Sequence, residues 1–262
     1  MAVVWRPESG AVMPDPGATL FSCFPSAGLA PTVAGHYMLQ TLKLPRIGAL
    51  ASEDFPPLAV IQGGRVNPPV RAYGGKDLVL VLSEFPLLPG LITPLATAII
   101  GMALQLKAGR IIGLEGVVPH PADGDGEDTS ADTGNNPPEE KVWYAGSGSA
   151  PEIPAEYKAA GVRTMTDGVI GGLSGALLVE GLTAGIPIGT LLVSATDVGY
   201  PDHRAAAKII EVIDQALPRV KIDTGPLRTQ AEMIERALRA AVRSRESAAA
   251  AGPRTENAPI YQ

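Results

Sequence analysis

The glycine-rich run Gly168-Val-Ile-Gly171-Gly172-Leu-Ser174-Gly175 is where residue types and spacing come closest to a chemical site. Glycines ahead of a helix let backbone N–H groups close on an anion, and a helix N-terminus favours negative charge. The specific templates fail one by one. A phosphate-cradling P-loop needs a lysine, and here Gly175 is followed by Ala176 and Leu177. A dinucleotide fingerprint needs G-x-G-x-x-G, whereas these glycines fall at 168, 171, 172 and 175. Gly172-Leu-Ser174-Gly175-Ala176 lacks the closing glycine of a nucleophile elbow. Two readings stay open for the run: an anion site, or close packing of a helix on a sheet.

Ser174 or Ser26 would become a nucleophile only with a histidine and an acid beside it. His36, His120 and His203 are far apart in the chain, fall in different expected elements and show no metal-ligand spacing. Asp202-His203 reads as an acid/base pair or as a helix cap. Cys23, the only cysteine, excludes an intrachain disulfide and sits in an apolar run as a small core residue. Asp123-Gly-Asp125-Gly-Glu127-Asp128 begins like a calcium loop. That reading fails, because the sixth position is Asp128 instead of Gly and the twelfth is Gly134 instead of Glu.

The other stretch that draws attention is Pro259-Ile260-Tyr261-Gln262. Chain ends ordinarily fray into polar residues. An aliphatic and an aromatic side chain beside a terminal carboxylate suit capture by another protein, through apolar pockets and a carboxylate-gripping one. An apolar-Tyr-X ending also arises by chance, in about one chain in a hundred at this composition.

The length, 262 residues, affords a sizeable core in one large α/β domain or two small ones. The formal net charge is −6 and Arg236, Arg239, Arg243 and Arg245 are interleaved with Glu232, Glu235 and Glu246, so nucleic-acid binding is not expected. Phe85 to Leu106 is uncharged, but Pro86, Pro89, Gly90 and Pro94 leave only Leu95 to Leu106 as a clean helix, too short for a bilayer. Arg6 and Glu8 interrupt the start before a signal-peptide core can form. A soluble, cytoplasmic protein is the expectation, with no cofactor and no metal implied.

These residues must be positioned by a regular scaffold. Residues 1–17, with three prolines, are expected to be an irregular arm. Strands are predicted at Thr19 to Phe24, Ile47 to Ala51, Leu58 to Ile61, Val70 to Tyr73, Asp77 to Ser83, Arg110 to Gly116, Val142 to Ala145, Val162 to Thr164 and Ile188 to Ala195. Helices are predicted from Leu29 to Leu42, Glu152 to Ala160, Gly175 to Leu182 and Pro201 to Leu217, with a long one opening at Thr224-Gly225-Pro226. Its apolar positions Leu227, Ala231, Ile234, Leu238 and Ala241 form one stripe. The stretch 119–140 carries seven acidic residues and no basic one, and reads as a surface loop. Alternating strands and helices imply a three-layer α/β/α sandwich on a mostly parallel or mixed sheet over residues 1–250, with 251–262 a flexible tail. From Gly252 to Pro259 that tether reaches about 28 Å when extended.

Phe24-Pro-Ser-Ala-Gly28, Asp54-Phe-Pro-Pro57, the 168–175 run, Tyr200-Pro-Asp202 before Ala205-Ala-Ala207, and Ile222-Asp-Thr224 occur in that order. Together they make the chain, over roughly Thr19 to Val242, resemble the proteasome assembly chaperone family in its archaeal branch. The resemblance implies a phosphorylase-like α/β/α fold without an enzymatic reaction, and homo-oligomers whose C-termini engage the 20S proteasome core particle. In such proteins a hydrophobic-Tyr-X motif inserts between neighbouring α-subunits, and Ile260, Tyr261 and Gln262 match it position by position. The acidic stretch 119–140 is not a feature of that resemblance. Two rival expectations remain: a phosphorylase- or hydrolase-like enzyme using Gly168–Gly175 as an anion site, and an oligomeric scaffold whose tail is incidental.

Overall fold

The uncharged runs that the sequence marks as buried strands meet in the middle of one nine-stranded sheet. The computed structural model describes residues 2–118, 140–148, 151–196, 200–234 and 236–237. Its strands are β1 (Val4–Pro7), β2 (Thr19–Cys23), β3 (Arg46–Ala51), β4 (Val60–Gln62), β5 (Arg65–Asn67), β6 (Val70–Gly74), β7 (Leu78–Leu82), β8 (Arg110–Val117), β9 (Val142–Ser147), β10 (Arg163–Thr164) and β11 (Ile188–Ser194). Its helices are α1 (Ala30–Leu42), α2 (Pro89–Gln105), α3 (Ala155–Ala159), α4 (Gly172–Glu180) and α5 (His203–Ala216), followed by α6 over 225–234. The sheet order is β1-β3-β6-β7-β2-β8-β11-β9-β10, with β4 and β5 as a separate hairpin.

The sheet is mixed. β7, β2, β8 and β11 run parallel at its centre, and β1, β3 and β6 extend it by antiparallel pairing. All five residues of β2 and of β7 are buried, as a strand covered on both faces requires. Their side chains alternate between two cores. Phe21, Cys23, Leu80 and Leu82 face α1 and α5, whereas Leu20, Val79 and Val81 face α2 and α4. The three-layer α/β/α architecture read from the sequence is therefore the one observed.

Two expectations change. Part of the 1–17 arm is the edge strand β1, paired with β3 from Val4↔Ala51 to Pro7↔Gly48. An edge strand tolerates a proline at its end, because no further ladder bond is asked of its nitrogen. The buried helix is also longer than Leu95 to Leu106, since α2 starts at Pro89 and runs through Pro94. Pro89 sits where a helix N–H has no partner anyway. Pro94 withholds a bond only from the carbonyl of Gly90, an exposed residue of the first turn that water can satisfy. The acidic stretch 119–139 and the tail 251–262 lie outside the described residues.

Candidate functional site

The 168–175 run becomes the entrance to α4. Gly172, with φ of 61°, occupies left-handed backbone that glycine adopts without strain. An added Cβ on Gly175 would strike the carbonyl oxygen of Ile170, so this glycine lets the turn close on its helix. Two residues into α4, Ser174 is buried and its hydroxyl donates to Glu115 Oε2 at 2.7 Å. Glu115 comes from β8, close to its carboxyl end. Ser26, from the β2–α1 loop, also hydrogen-bonds Glu115 and accepts the Gly116 N–H at 2.8 Å. Both serines singled out in the sequence thus converge on one carboxyl group. Sequence reasoning missed Glu115, although a lone carboxylate inside the apolar strand Arg110-Ile-Ile-Gly-Leu-Glu115 was a signal.

Burial raises the Glu115 pKa to about 7, against the opposing pull of the Ser174 and Ser26 hydroxyls. Thr190 lies on the neighbouring strand β11, fully buried, with its hydroxyl making no hydrogen bond. A Cβ on Gly113 would lie 2.9 Å from Thr190 Oγ1 and 3.0 Å from Ser174 Oγ, so the two hydroxyls approach one point above that glycine. The cluster occupies the carboxyl end of the parallel strands, the edge at which α/β sheets present ligand sites.

No Ser–His–acid relay is assembled among the described residues. His36 Nε2 lies 2.8 Å from Glu84 Oε1, and His203 Nδ1 is 2.9 Å from the Pro201 carbonyl oxygen. His120 lies outside the described residues. Asp202 is a helix cap: its carboxylate accepts from the Ala205 N–H, the Thr196 N–H and the Thr196 hydroxyl, each at 2.9 Å. The Asp202 N–H donates to the Gly28 carbonyl at 2.7 Å, tying the start of α5 to the β2–α1 loop. Gly28 has a φ of 62°, and a Cβ there would fall 2.8 Å from that of Asp202. The Phe24–Gly28 and Tyr200–Asp202 stretches, remote in sequence, therefore form one locked corner.

A second polar cluster joins β6, the end of β7 and α1. The Arg71 guanidinium is fully buried and binds both oxygens of Glu84, with Nη1 at 2.8 Å from Oε2, while its Nε donates to the Tyr73 hydroxyl at 3.0 Å. Burial alone would raise the Glu84 pKa, but Arg71 and His36 outweigh it and hold it at about 2. Two surface cavities lie elsewhere. One of about 370 Å³ lies at the amino ends of β8 and β11, lined by Arg110, Tyr144 and Gly189. Arg110 is already held by Glu156 at 2.6 Å and lies over the Tyr157 ring. The other, of about 620 Å³, separates β1 from α2.

Among the described residues no group of three or more potential ligands could hold a metal, and no helix is long and apolar enough to cross a membrane. Cys23 is fully buried in apolar surroundings and its thiol is pushed well up, consistent with a core residue. Ile260, Tyr261 and Gln262 lie outside the described residues.

Known structures share this fold. PbaA of Pyrococcus furiosus, an archaeal homolog of proteasome-assembly chaperone, is 28% identical in its monoclinic form, with a TM-score of 0.76 over 95% of this chain and 94% of that one. PbaB of the same organism, an archaeal proteasome activator, is 19% identical and shares the fold, with a TM-score of 0.70 over 92% and 98% of the two chains. An uncharacterised Methanocaldococcus jannaschii protein is 27% identical over 220 residues, covering 84% of this chain and 83% of its own length. The PAC2 family pattern matches residues 20–242. That span contains the ordered motifs, the Ser26–Glu115–Ser174 cluster and both helical layers, and the chain belongs to the PAC2 family.

Proposed function

We propose that this protein is a non-enzymatic proteasome-binding protein, an assembly chaperone or ATP-independent activator, acting in the cytoplasm as a homo-oligomer. The observation that carries this reading is the likeness to PbaA at 28% identity across nearly the whole of both chains. The fold shared with PbaB supports the same direction.

The contact itself is assigned to Ile260, Tyr261 and Gln262. Ile260 fills an apolar pocket between 20S α-subunits, the Tyr261 ring packs while its hydroxyl finds a polar partner, and the Gln262 carboxylate meets a basic residue. One such tail binds weakly because ordering it costs conformational entropy. Several tails on one oligomer raise the effective concentration and turn weak contacts into useful avidity. Tails wedged between α-subunits would stabilise an assembly intermediate or bias the gate open by favouring one of two states. Peptide hydrolysis by purified core particle tests the contact. Intact chain should raise the rate, and Tyr261→Ala or a few residues appended after Gln262 should remove the increase. An unchanged increase with both variants would refute the tail contact.

A further inference from the structure

At the amino ends of β8 and β11, unused hydrogen-bond donors meet flat apolar walls. The cavity there holds about 370 Å³, within the range of small-molecule pockets. Ile112, Tyr144, Pro154, Pro187 and Ile188 supply its apolar surface. Close backbone approaches hold its shape. A Cβ on Gly189 would strike the Tyr144 ring, and one on Gly109 would fall 2.7 Å from the Gly17 carbonyl oxygen. Gly189 thus lets the ring lie against β11, and Gly109 lets the start of β8 close on Gly17. The polar side of the cavity is Arg110, whose guanidinium carries five N–H donors. Its Nε donates to the Thr19 hydroxyl at 3.3 Å and its Nη1 meets Glu156 Oε1 at 2.6 Å. Both N–H groups of Nη2 have no acceptor among the described residues. Behind this wall Tyr157 stacks on Tyr144, with ring centroids 6.1 Å apart, and Arg110 lies over it. The Tyr157 hydroxyl is fully buried and makes no hydrogen bond among the described residues. Arg110 and Tyr144, which line the cavity, are among the groups that act on it electrostatically. A buried donor without an acceptor is destabilising, so Tyr157 and Arg110 both call for an oxygen atom.

We propose that this cavity binds a small planar molecule bearing an uncharged carbonyl oxygen, an aromatic or cyclic amide. The ring packs on Tyr144 and the two prolines, rigid surfaces that lose little conformational freedom on binding, and the carbonyl accepts from Arg110. Charge sets the preference for a neutral ligand. Glu156 already neutralises the guanidinium and the chain carries a formal charge of −6, so an anion gains no net attraction. A cation is turned away by the guanidinium itself. The site lies at the sheet edge opposite the Ser26–Glu115–Ser174 cluster and does not depend on the tail contact.

Heteronuclear NMR of the full isotope-labelled chain tests this, with benzamide as the neutral probe and phenyl phosphate as its charged counterpart. Benzamide should shift the amide signals of Gly109, Arg110 and Gly189 saturably, with a Kd below about 10 mM, the weakest affinity expected of a ligand with about nine non-hydrogen atoms. Phenyl phosphate should bind at least about tenfold more weakly. Arg110→Met keeps the apolar stem and removes the donors, so it should weaken benzamide by about tenfold or more, the size of a hydrogen bond to a charged group. Glu156→Gln leaves the guanidinium in place and uncompensated. It should change benzamide affinity by less than about twofold and raise that of phenyl phosphate by about tenfold, a switch of preference that a merely structural role would not produce. Circular dichroism checks the fold of each variant, and should Arg110→Met misfold, Glu156→Gln decides. The proposal is overturned if benzamide gives no saturable shift at those three residues, or if its binding survives Arg110→Met unchanged. Phenyl phosphate binding wild type as tightly as benzamide overturns it, as does a Glu156→Gln variant with unaltered preference. Deleting 260–262 should leave benzamide binding unchanged, so failure of the tail contact and failure of this site are separable.

Discussion

Glu84→Gln isolates the charge of the one carboxylate that neutralises Arg71 while keeping shape and one carbonyl acceptor. Arg71 is fully buried, so its guanidinium depends on Glu84 for two of its donors and on Tyr73 for a third. The carboxyl pKa is held at about 2, against an ordinary value of 4.5. At 1.36 kcal/mol per unit this corresponds to about 3.4 kcal/mol, which solvent screening reduces to about 2 because Glu84 is a third exposed. Leaving a buried guanidinium facing a neutral amide adds to the loss. The expected destabilisation at pH 7 is about 2–3 kcal/mol, or roughly 4–12 °C in Tm for a chain of this size. The direction with pH follows from the depressed folded value. The unfolded chain binds more protons between about pH 4.5 and 2, so the stabilisation is complete above pH 4.5 and drains away as pH falls towards 2. By pH 3 the gap between wild type and variant should be less than half of its neutral value. Urea unfolding followed by circular dichroism at pH 7 and pH 3 reads both quantities. A gap under about 0.5 kcal/mol at pH 7, the size of an ordinary exposed pair, would refute the reasoning. An equal gap at both pH values would do the same.

Glu115→Gln should show the opposite dependence. Its folded carboxyl titrates near pH 7, above the ordinary 4.5, so ionising it opposes folding as pH rises through that window, and the variant should gain about 3 kcal/mol on wild type between pH 4.5 and pH 8 in the same unfolding assay. Gly116→Ala drives a methyl group into the carbonyl oxygen of Ala27, backbone that cannot swing aside, and should cost about 1–3 kcal/mol by thermal unfolding. Asp202→Ala removes the acceptor for Ala205 N–H and for both Thr196 donors, and should lower stability by about 1–2 kcal/mol, seen as faster hydrogen exchange at the first turn of α5.

The layered architecture was legible because β7 is an uninterrupted apolar run, strand and helix patterns alternate along the chain, and α5 has a strict amphipathic period. Asp202 as a cap followed from its place before an apolar-periodic stretch. What local pattern could not give was set by tertiary pairing. β1 is a strand only because β3 offers it an edge, and three prolines in the first 17 residues argued otherwise. In the sequence Pro94 reads as a helix breaker, yet it falls in an opening turn where the bond it forfeits is replaceable by water. Glu115 escaped notice because its partners Ser26 and Ser174 lie 89 and 59 residues away, and only the sheet order brings them together. Of the 168–175 glycines, Gly175 lets its own turn close against the Ile170 carbonyl, a local role that spacing alone does not reveal, while a carboxyl group from within the chain bonds the hydroxyl that follows Leu173. Arg71 and Glu84 are thirteen residues apart across a strand pair, a spacing that carries no motif.

Proteasome binding through the chain end is tested most directly by capture of purified 20S core particle on immobilised protein, comparing intact chain with one lacking Ile260, Tyr261 and Gln262. Retention by the intact chain and at least a tenfold loss on removing those three residues is the predicted result. Equal retention by both forms, or none by either, would contradict it.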